Sequence, residues 1–461
     1  MRRPPFGVKV RSLTTRDLRP LRLALDRADS GFRQAHPGDS TGRQPVHTVY
    51  GGAQSFKADI VSRLGASAIE TLERYAPDPF TFATAIGLRE RPELAGFRDA
   101  LYERVVQKLR REPVEDLRID FEDGYGSRPD AEEDEHAQLV AEEMAVGLAT
   151  GTLPPFIGIR IKPLSHEYRD RSVRTLDLFV TTLARAAKRK LPPRLVITIP
   201  KVVAVEQVRA AARVCALLER RLSLPRGVLK LELMIETPQA ILGVDGSVAV
   251  RSLVAAGAGR VTAAHFGTYD YTALCGITAP HEHMRHKTCD FARHVMQVAL
   301  AQTGVWMSDG ATNVLPVPPY REAAGRTLSS GRRSANRKAV HEAWRLHYDD
   351  IQHSLVNGFY QGWDLHAGQL PTRYAAVYAF LLNARTAAVE RLRNLFADAG
   401  QVERLDEAFD HATTGQRLLD VFLRGLDCGA ITPDEAAHSG VTPDEFRTRS
   451  FLAIVEARRA R

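Results

Sequence analysis

Two carboxylates stand out by type and position: Glu236 closes the β-rich run LKLELMIE, and Asp270 follows the β-rich run RVTAAHF in the segment RVTAAHFGTYDYT. Each is bordered by turn- or helix-starting residues, so if the two runs are neighbouring parallel strands, both acids emerge at one edge of a sheet. Two such acids, with water, suit a hard dication such as Mg²⁺, which takes oxygen ligands and leaves room for an oxygen-rich substrate. Other charged or polar residues recur at the ends of similar runs. They are Asp120, Glu122 and Asp123 in LRIDFED, Arg160 and Lys162 in FIGIRIKPL, Lys201 in RLVITIPKV, Asp309 in VWMSDG, and Trp363, Asp364 and His366 in GFYQGWDLH. Barrel interiors are mostly apolar, so core packing is a poor explanation for charges at successive strand ends.

The elements that must position these groups can be read in order. HTVYGG (His47 to Gly52) opens a series of eight β-rich runs, each followed by helical text. Strands alternating with helices demand parallel pairing, and eight such units can close into a (β/α)₈ TIM barrel with its site at the C-terminal strand ends. An open doubly wound sheet is the alternative, but no GxGxxG follows an early strand to support it. The expected organisation is an α/β chain with an N-terminal arm (1–45), a barrel (46–370) and a C-terminal helical extension (371–461). The arm has helix-like periodicity around Leu21 to Phe32. In the extension, TPDEA at Thr432 and TPDEF at Thr442 each read as a Thr N-cap, a first-turn Pro and a Glu three residues after the cap.

Composition narrows the classes. The 461 residues, 44% hydrophobic and 26% charged, describe a globular chain with ample material for a core. The net charge of +8 comes from arginines dispersed among acids. That favours small anionic substrates over nucleic acid. Four cysteines without CxxC spacing point to a reducing compartment and away from a zinc site. The basic N-terminus lacks a following apolar segment, and no apolar run approaches membrane-spanning length, so a cytoplasmic location is expected.

DFEDGYG, GIRIKP, IPKV, MIETP, HFGTYDYT and GWDLHAGQL resemble, in that order, motifs of the superfamily containing the citrate lyase beta subunit, 2-oxo-acid aldolases, malyl-CoA lyases and malate synthase. The likeness spans roughly residues 46–370. It implies a Mg²⁺-dependent carbon–carbon lyase or aldolase, with Mn²⁺ as a substitute ion, acting on a 2-oxo acid such as pyruvate or glyoxylate. By this resemblance Glu236 and Asp270 would hold the metal, which would stabilise an enolate. Arg160 would face the substrate oxygen, Glu122 and Asp123 would lie near the metal, and Lys201 would tune the acid cluster. Gly267, Thr268, Trp363 and His366 would contact substrate. Ala367 stands where the family has proline. A coenzyme A thioester is a further implied partner, and a homo-oligomer the implied assembly.

Plainer readings exist for each residue. Glu236 and Asp270 could be ion-paired strand-end acids, Arg160 could merely neutralise them, and Lys201 and Asp309 could form structural pairs. His366 could pack its ring at a helix entry. The HEHMRH segment (His281 to His286) lacks an HExxH signature and reads better as a solvated or anion-binding loop than as a metal site. GRTLSSGRRSANRK (325–338) is a basic loop that could close over the site or grip phosphates. Two other functions stay open. One is Claisen condensation of an acyl-CoA with glyoxylate, with Asp410 in DHATTGQRLLDVF as base; the other is a non-catalytic anion-binding barrel.

Overall fold

The computed structural model describes residues 12–40, 42–88, 96–322, 327–401 and 405–460, with the side chains of 397–411 left out. Eight strands form a closed, wholly parallel barrel in sequence order. They are β1 (His47–Gly52), β2 (Asp116–Asp120), β3 (Phe156–Arg160), β4 (Leu195–Ile199), β5 (Lys230–Ile235), β6 (Val261–Phe266), β7 (Trp306–Ala311) and β8 (Gln361–Asp364). The expected α/β barrel is therefore the observed fold. Among the described residues no helix is long and apolar enough to cross a membrane.

The helices run α1 (Thr15–Ala35), α2 (Ile60–Tyr75), α3 (Pro79–Ile86), α4 (Phe97–Arg111), α5 (Asp130–Thr150), α6 (Arg169–Ala186), α7 (Val205–Arg221), α8 (Pro238–Ile241) and α9 (Ala249–Ala256). They continue with α10 (Thr268–Leu274), α11 (Lys287–Leu300), α12 (Ser330–Val356), α13 (Leu370–Gln401), α14 (Leu405–Cys428), α15 (Pro433–Ala437), α16 (Pro443–Thr448) and α17 (Phe451–Arg459). α13 follows β8 as the eighth barrel helix and also packs against α14 and α17, so one helix joins barrel to extension. The two TPDE sequences start α15 and α16, each with the reciprocal Thr–Glu capping box expected of them.

Side chains alternate across each strand. Leu117, Ile119, Ile157, Ile159, Ile197, Ile199, Leu233 and Ile235 are buried in the core beneath the helices. The opposite set, facing the barrel axis, is largely polar. Arg118 bridges Asp116 (2.8 Å) and Glu232 (2.9 Å), and Glu232 in turn accepts from Thr198 (2.6 Å) and lies 2.8 Å from His265. All are buried. Gly158 makes room for this, since a Cβ there would sit 2.6 Å from Arg118 Nη1 and 2.2 Å from the Val196 carbonyl oxygen. The apolar interior expected of the barrel is thus corrected. Among the described residues Tyr50, Met234, Ala311 and Trp363 form an apolar layer there, above the charged one.

The lower end of this column is covered in part by the arm. Gln44 donates to the Met307 carbonyl and to Gln361 Oε1, Gln361 donates to Thr48, and Thr48 donates to Asp116.

Candidate active site

Strand β2 stops at Asp120, and the chain then turns through Phe121 to Gly124. Asp120 fastens that turn by accepting from the backbone N–H of Glu122 (2.9 Å) and Gly124 (2.7 Å). Because the strand has ended, strand alternation no longer separates Glu122 from Asp123, and both reach Arg160. The Arg160 guanidinium chelates Asp120 through Nε (2.7 Å) and Nη2, and its Nη1 lies 3.0 Å from Glu122 and 3.4 Å from Asp123. Its flat face lies over the Tyr50 ring at 5.1 Å. A bidentate grip plus an aromatic floor fixes the guanidinium plane.

Lys201 follows β4 with a left-handed backbone (φ 49°), an unfavourable conformation for a side-chain-bearing residue that surrounding structure must hold. Its N–H donates to Glu236 (2.6 Å). Its ammonium contacts Glu122 and lies 3.3 Å from both Asp123 and Asp270. One lysine therefore gathers residues from the ends of β2, β4, β5 and β6.

Glu236 is placed by the start of α8. Thr237 caps that helix, accepting from Ala240 N–H while donating to the Val202 carbonyl, and Pro238 occupies its first turn. The carboxylate of Glu236 is buried (1% exposed). Gly267 permits this close approach, since a Cβ at that position would fall 2.6 Å from Glu236 Oε2. Asp270 sits in the first turn of α10, three residues beyond the Gly267 cap, and its side chain is 39% exposed. Thr268 donates to Met284 Sδ, tying α10 to the segment before α11.

The electrostatics are unbalanced. Five carboxylates (Asp120, Glu122, Asp123, Glu236, Asp270) share two cations, Arg160 and Lys201. Burial pushes Glu236 up to about 8; Lys201 and Arg160 pull the other way and outweigh the smaller repulsion from Asp270 and Glu122, but they do not offset the burial. Burial likewise raises Glu122 to about 7, helped by neighbouring Asp123. Asp123 is held below the usual range: burial opposes this, but Arg160, Glu122 and Lys201 outweigh it. Among the described residues no three His, Cys, Asp or Glu side chains form a ready-made metal cluster. The donor set fits a hard divalent cation in another way. It offers a pair of carboxylates from adjacent strand ends, one of them buried without full charge compensation, which is the small protein share Mg²⁺ uses beside water and substrate.

The remaining predicted residues fall into two groups. Trp363 lies below the mouth, its ring tilted by 31° against that of Tyr50 at 4.7 Å, and its buried Nε1–H has no partner among the described residues. His366 sits at a helix entry: its Nδ1 accepts from Gly368 N–H (3.0 Å), and Gln369 completes the cap. Asp309 and Asp364 face the helices and not the barrel axis. Asp309 pairs with Arg293 (2.9 Å) and accepts from Ser354, while Asp364 is ringed by His47, His347 and Arg373. Lys162 is tied to Glu133 (3.0 Å) and the Phe121 carbonyl. The HEHMRH segment ends as the N-cap of α11, where His286 accepts from Thr288 N–H. Much of the basic 325–338 stretch is the first turns of α12, capped by Ser329, and residues 325 and 326 lie outside the described residues. Asp410 is on α14, its side chain outside the described residues.

Tyr50 and the Asp116–Arg118–Glu232–His265 network were not anticipated. Their signal was the alternation of charges at 116, 118 and 120 within one strand, which places all three on the axial face.

Comparison with known proteins supports the fold. A citrate lyase from Burkholderia xenovorans LB400 matches at 19% identity over 86% of this chain and 95% of its own, with a TM-score of 0.51. A malate synthase from Haloferax volcanii, solved with magnesium and glyoxylate, matches at 16% identity over 72% of this chain and 75% of its own, with a TM-score of 0.44. An HpcH/HpaI aldolase/citrate lyase family protein from Burkholderia cenocepacia J2315 matches at 15% identity over 61% and 84%, with a TM-score of 0.33. The resemblance read from the ordered motifs agrees with the names of these structures, of which the first carries the fold. No curated protein matches the sequence. Residues 25–454 match the family described as "Domain of unknown function (DUF6986)", and the chain belongs to that family.

Proposed function

We propose that this protein is a Mg²⁺-dependent carbon–carbon lyase or aldolase, with Mn²⁺ able to substitute, that forms or cleaves a bond to a 2-oxo acid such as pyruvate or glyoxylate. The observation that carries this reading is the under-compensated acid cluster at the open end of the barrel, with a fixed arginine beside it. Glu236 and Asp270 would hold the ion. Bound there, it would supply Lewis-acid stabilisation of the negative charge that develops on the 2-oxo acid as the bond changes.

The chain's own groups do the rest. Arg160, locked by Asp120, presents Nη1 toward the mouth, where it can meet a substrate oxygen and spread developing charge. Glu122, with its proton held to about pH 7, can give or take a proton near neutrality. Lys201 lies at the centre of the cluster and offsets part of its negative charge. Tyr50 and Trp363 form an apolar floor beneath the site. Gly267 and Thr268 shape the loop beside Glu236.

Titration calorimetry with oxalate, pyruvate and glyoxylate, with and without Mg²⁺, tests this. Glu236→Gln and Asp270→Asn should each abolish metal-dependent binding, a loss of at least about 100-fold or ~2.7 kcal/mol, while circular dichroism stays unchanged. Unchanged binding in both variants refutes the assignment. A coenzyme A thioester partner would show as free coenzyme A released from acetyl-CoA and glyoxylate under Mg²⁺.

A further inference from the structure

Helix α1 is 21 residues long and has no buried residue, although it is rich in leucine. Leu21 and Leu25 are each 54% exposed and Phe32 is 57% exposed. Their spacing is regular. Leu18, Leu21, Leu25, Ala28, Phe32 and Ala35 advance by alternating steps of three and four, the a and d positions of a heptad. On a helix these six lie along one stripe roughly a third of the circumference wide.

A stripe of this width is wider than a lone surface leucine requires, and among the described residues it is left exposed. Among the described residues the helix is tied at its C-terminal end, where Arg251 donates to the Ala35 carbonyl and, just past it, Gly38 N–H donates to the Gln302 carbonyl. Its body is therefore free along its length to meet another surface. Thr14 and Asp17 form a reciprocal capping box at its start, so the helix is locally well terminated. Pro20 falls at a c position, on the side away from the seam.

The residues flanking the stripe say what that surface is. One flank carries Arg22 and Asp29, both at e positions; the other carries Asp17, Ala24 and Gly31 at g positions, of which Asp17 is engaged by the capping box. In an antiparallel pairing of two copies, e faces e and g faces g. Arg22 of each copy then meets Asp29 of the other, giving two opposite-charge pairs by symmetry, while Ala24 and Gly31 leave the other flank free of bulk. A parallel pairing would instead set Arg22 against Asp17, which the capping box already engages, and would leave Asp29 without a partner. An antiparallel pair has a two-fold axis across it, the commonest symmetry of soluble assemblies.

We propose that α1 is a dimerisation element, and that two copies of this chain join through an antiparallel pair of α1 helices along the Leu18–Ala35 stripe, with Arg22 of each copy set against Asp29 of the other. The apolar side chains of the seam supply affinity, and the charge pairs fix direction.

Sedimentation of the full chain across a concentration series tests this. The wild type should run at twice the chain mass and dissociate on dilution. Leu21→Asp with Leu25→Asp, both at exposed positions, should give a monomer with an unchanged circular dichroism spectrum and melting temperature of the barrel. Arg22→Asp alone should weaken the dimer at least tenfold, and Arg22→Asp combined with Asp29→Arg should restore it. A monomeric wild type overturns the proposal. So does an oligomer indifferent to the double leucine change, which would place the interface elsewhere, and so does failure of the charge exchange to rescue, which would exclude the antiparallel arrangement. Co-sedimentation of a monomeric wild type with phosphatidylcholine–phosphatidylserine vesicles would assign the stripe to a membrane surface instead.

Discussion

Two buried charged clusters sit one above the other inside this barrel, and they are built on opposite principles. In the middle layer, Asp116 and Glu232 face Arg118 and His265, with Thr48 and Thr198 adding hydrogen bonds. Burial alone would raise Glu232, but Arg118 and His265 outweigh it and hold that carboxyl well below its ordinary range, although burial and Glu232 still leave the neighbouring Asp116 raised. At the mouth, burial wins and Glu236 is raised to about 8. The same desolvation acts in both layers. What differs is how far the chain's positive charge offsets it: in the middle layer one of the two carboxyls is brought below its ordinary value, and at the mouth Glu236 is not. A matched cluster is scaffold, and a deficient one is a place prepared for a ligand.

The largest test of this contrast lies in the middle layer. Arg118→Met would strand Asp116 and Glu232 without their shared partner, and should cost about 3–5 kcal/mol of unfolding free energy in urea titrations. A loss under 1 kcal/mol would mean that the layer is solvated and not the structural element argued here.

The second test uses pH. Glu236 and Glu122 bind protons more tightly when folded, at about 8 and about 7 against an ordinary value of 4.5. The folded chain therefore holds protons that the unfolded chain releases, and stability falls as pH rises from about 4.5 to 8. Glu232 has the opposite sign: its contribution is full above 4.5 and is lost in acid. Urea melts at several pH values should show the neutral-range decline in the metal-free protein and its disappearance with saturating Mg²⁺, whose binding should release protons. A flat profile from pH 5 to 8 would contradict the deficit at the mouth.

The smallest effect is expected from Lys201→Met. Its ammonium sits among Glu122, Asp123 and Asp270, so removing it should tighten Mg²⁺ binding about tenfold, or ~1.4 kcal/mol, read by calorimetry. Weaker binding would show that the lysine organises the acids for the ion and does not compete with it.

Much of the barrel was legible because runs such as LVITI are β-branched, bounded and evenly spaced. Their ends were less so. LRIDFED reads as seven strand residues, yet β2 stops at Asp120, because that carboxylate bonds the following N–H groups and bends the chain. GRRSAN reads as loop from its composition, yet Ser329 caps a helix there and the arginines line its first turns. At the site, Glu236, Asp270, Arg160, Glu122, Asp123 and Lys201 do come together. Asp309, Asp364 and His366 share their strand-end positions but answer to helices, a difference of one residue in strand phase that composition does not carry. The axial network escaped notice because an apolar interior was assumed, although Arg118 sits between Asp116 and Asp120 at the spacing of one strand face.

Gln44 gives the arm a second duty. Its amide caps the polar column from below by way of Gln361, Thr48 and Asp116, and it also accepts from Arg424 of α14. The chain's opening segment thus acts as a stopper for the barrel and a latch for its final helices. A version trimmed to begin at the first strand would be uncorked, with bulk solvent admitted to the charges that the fold has sealed away.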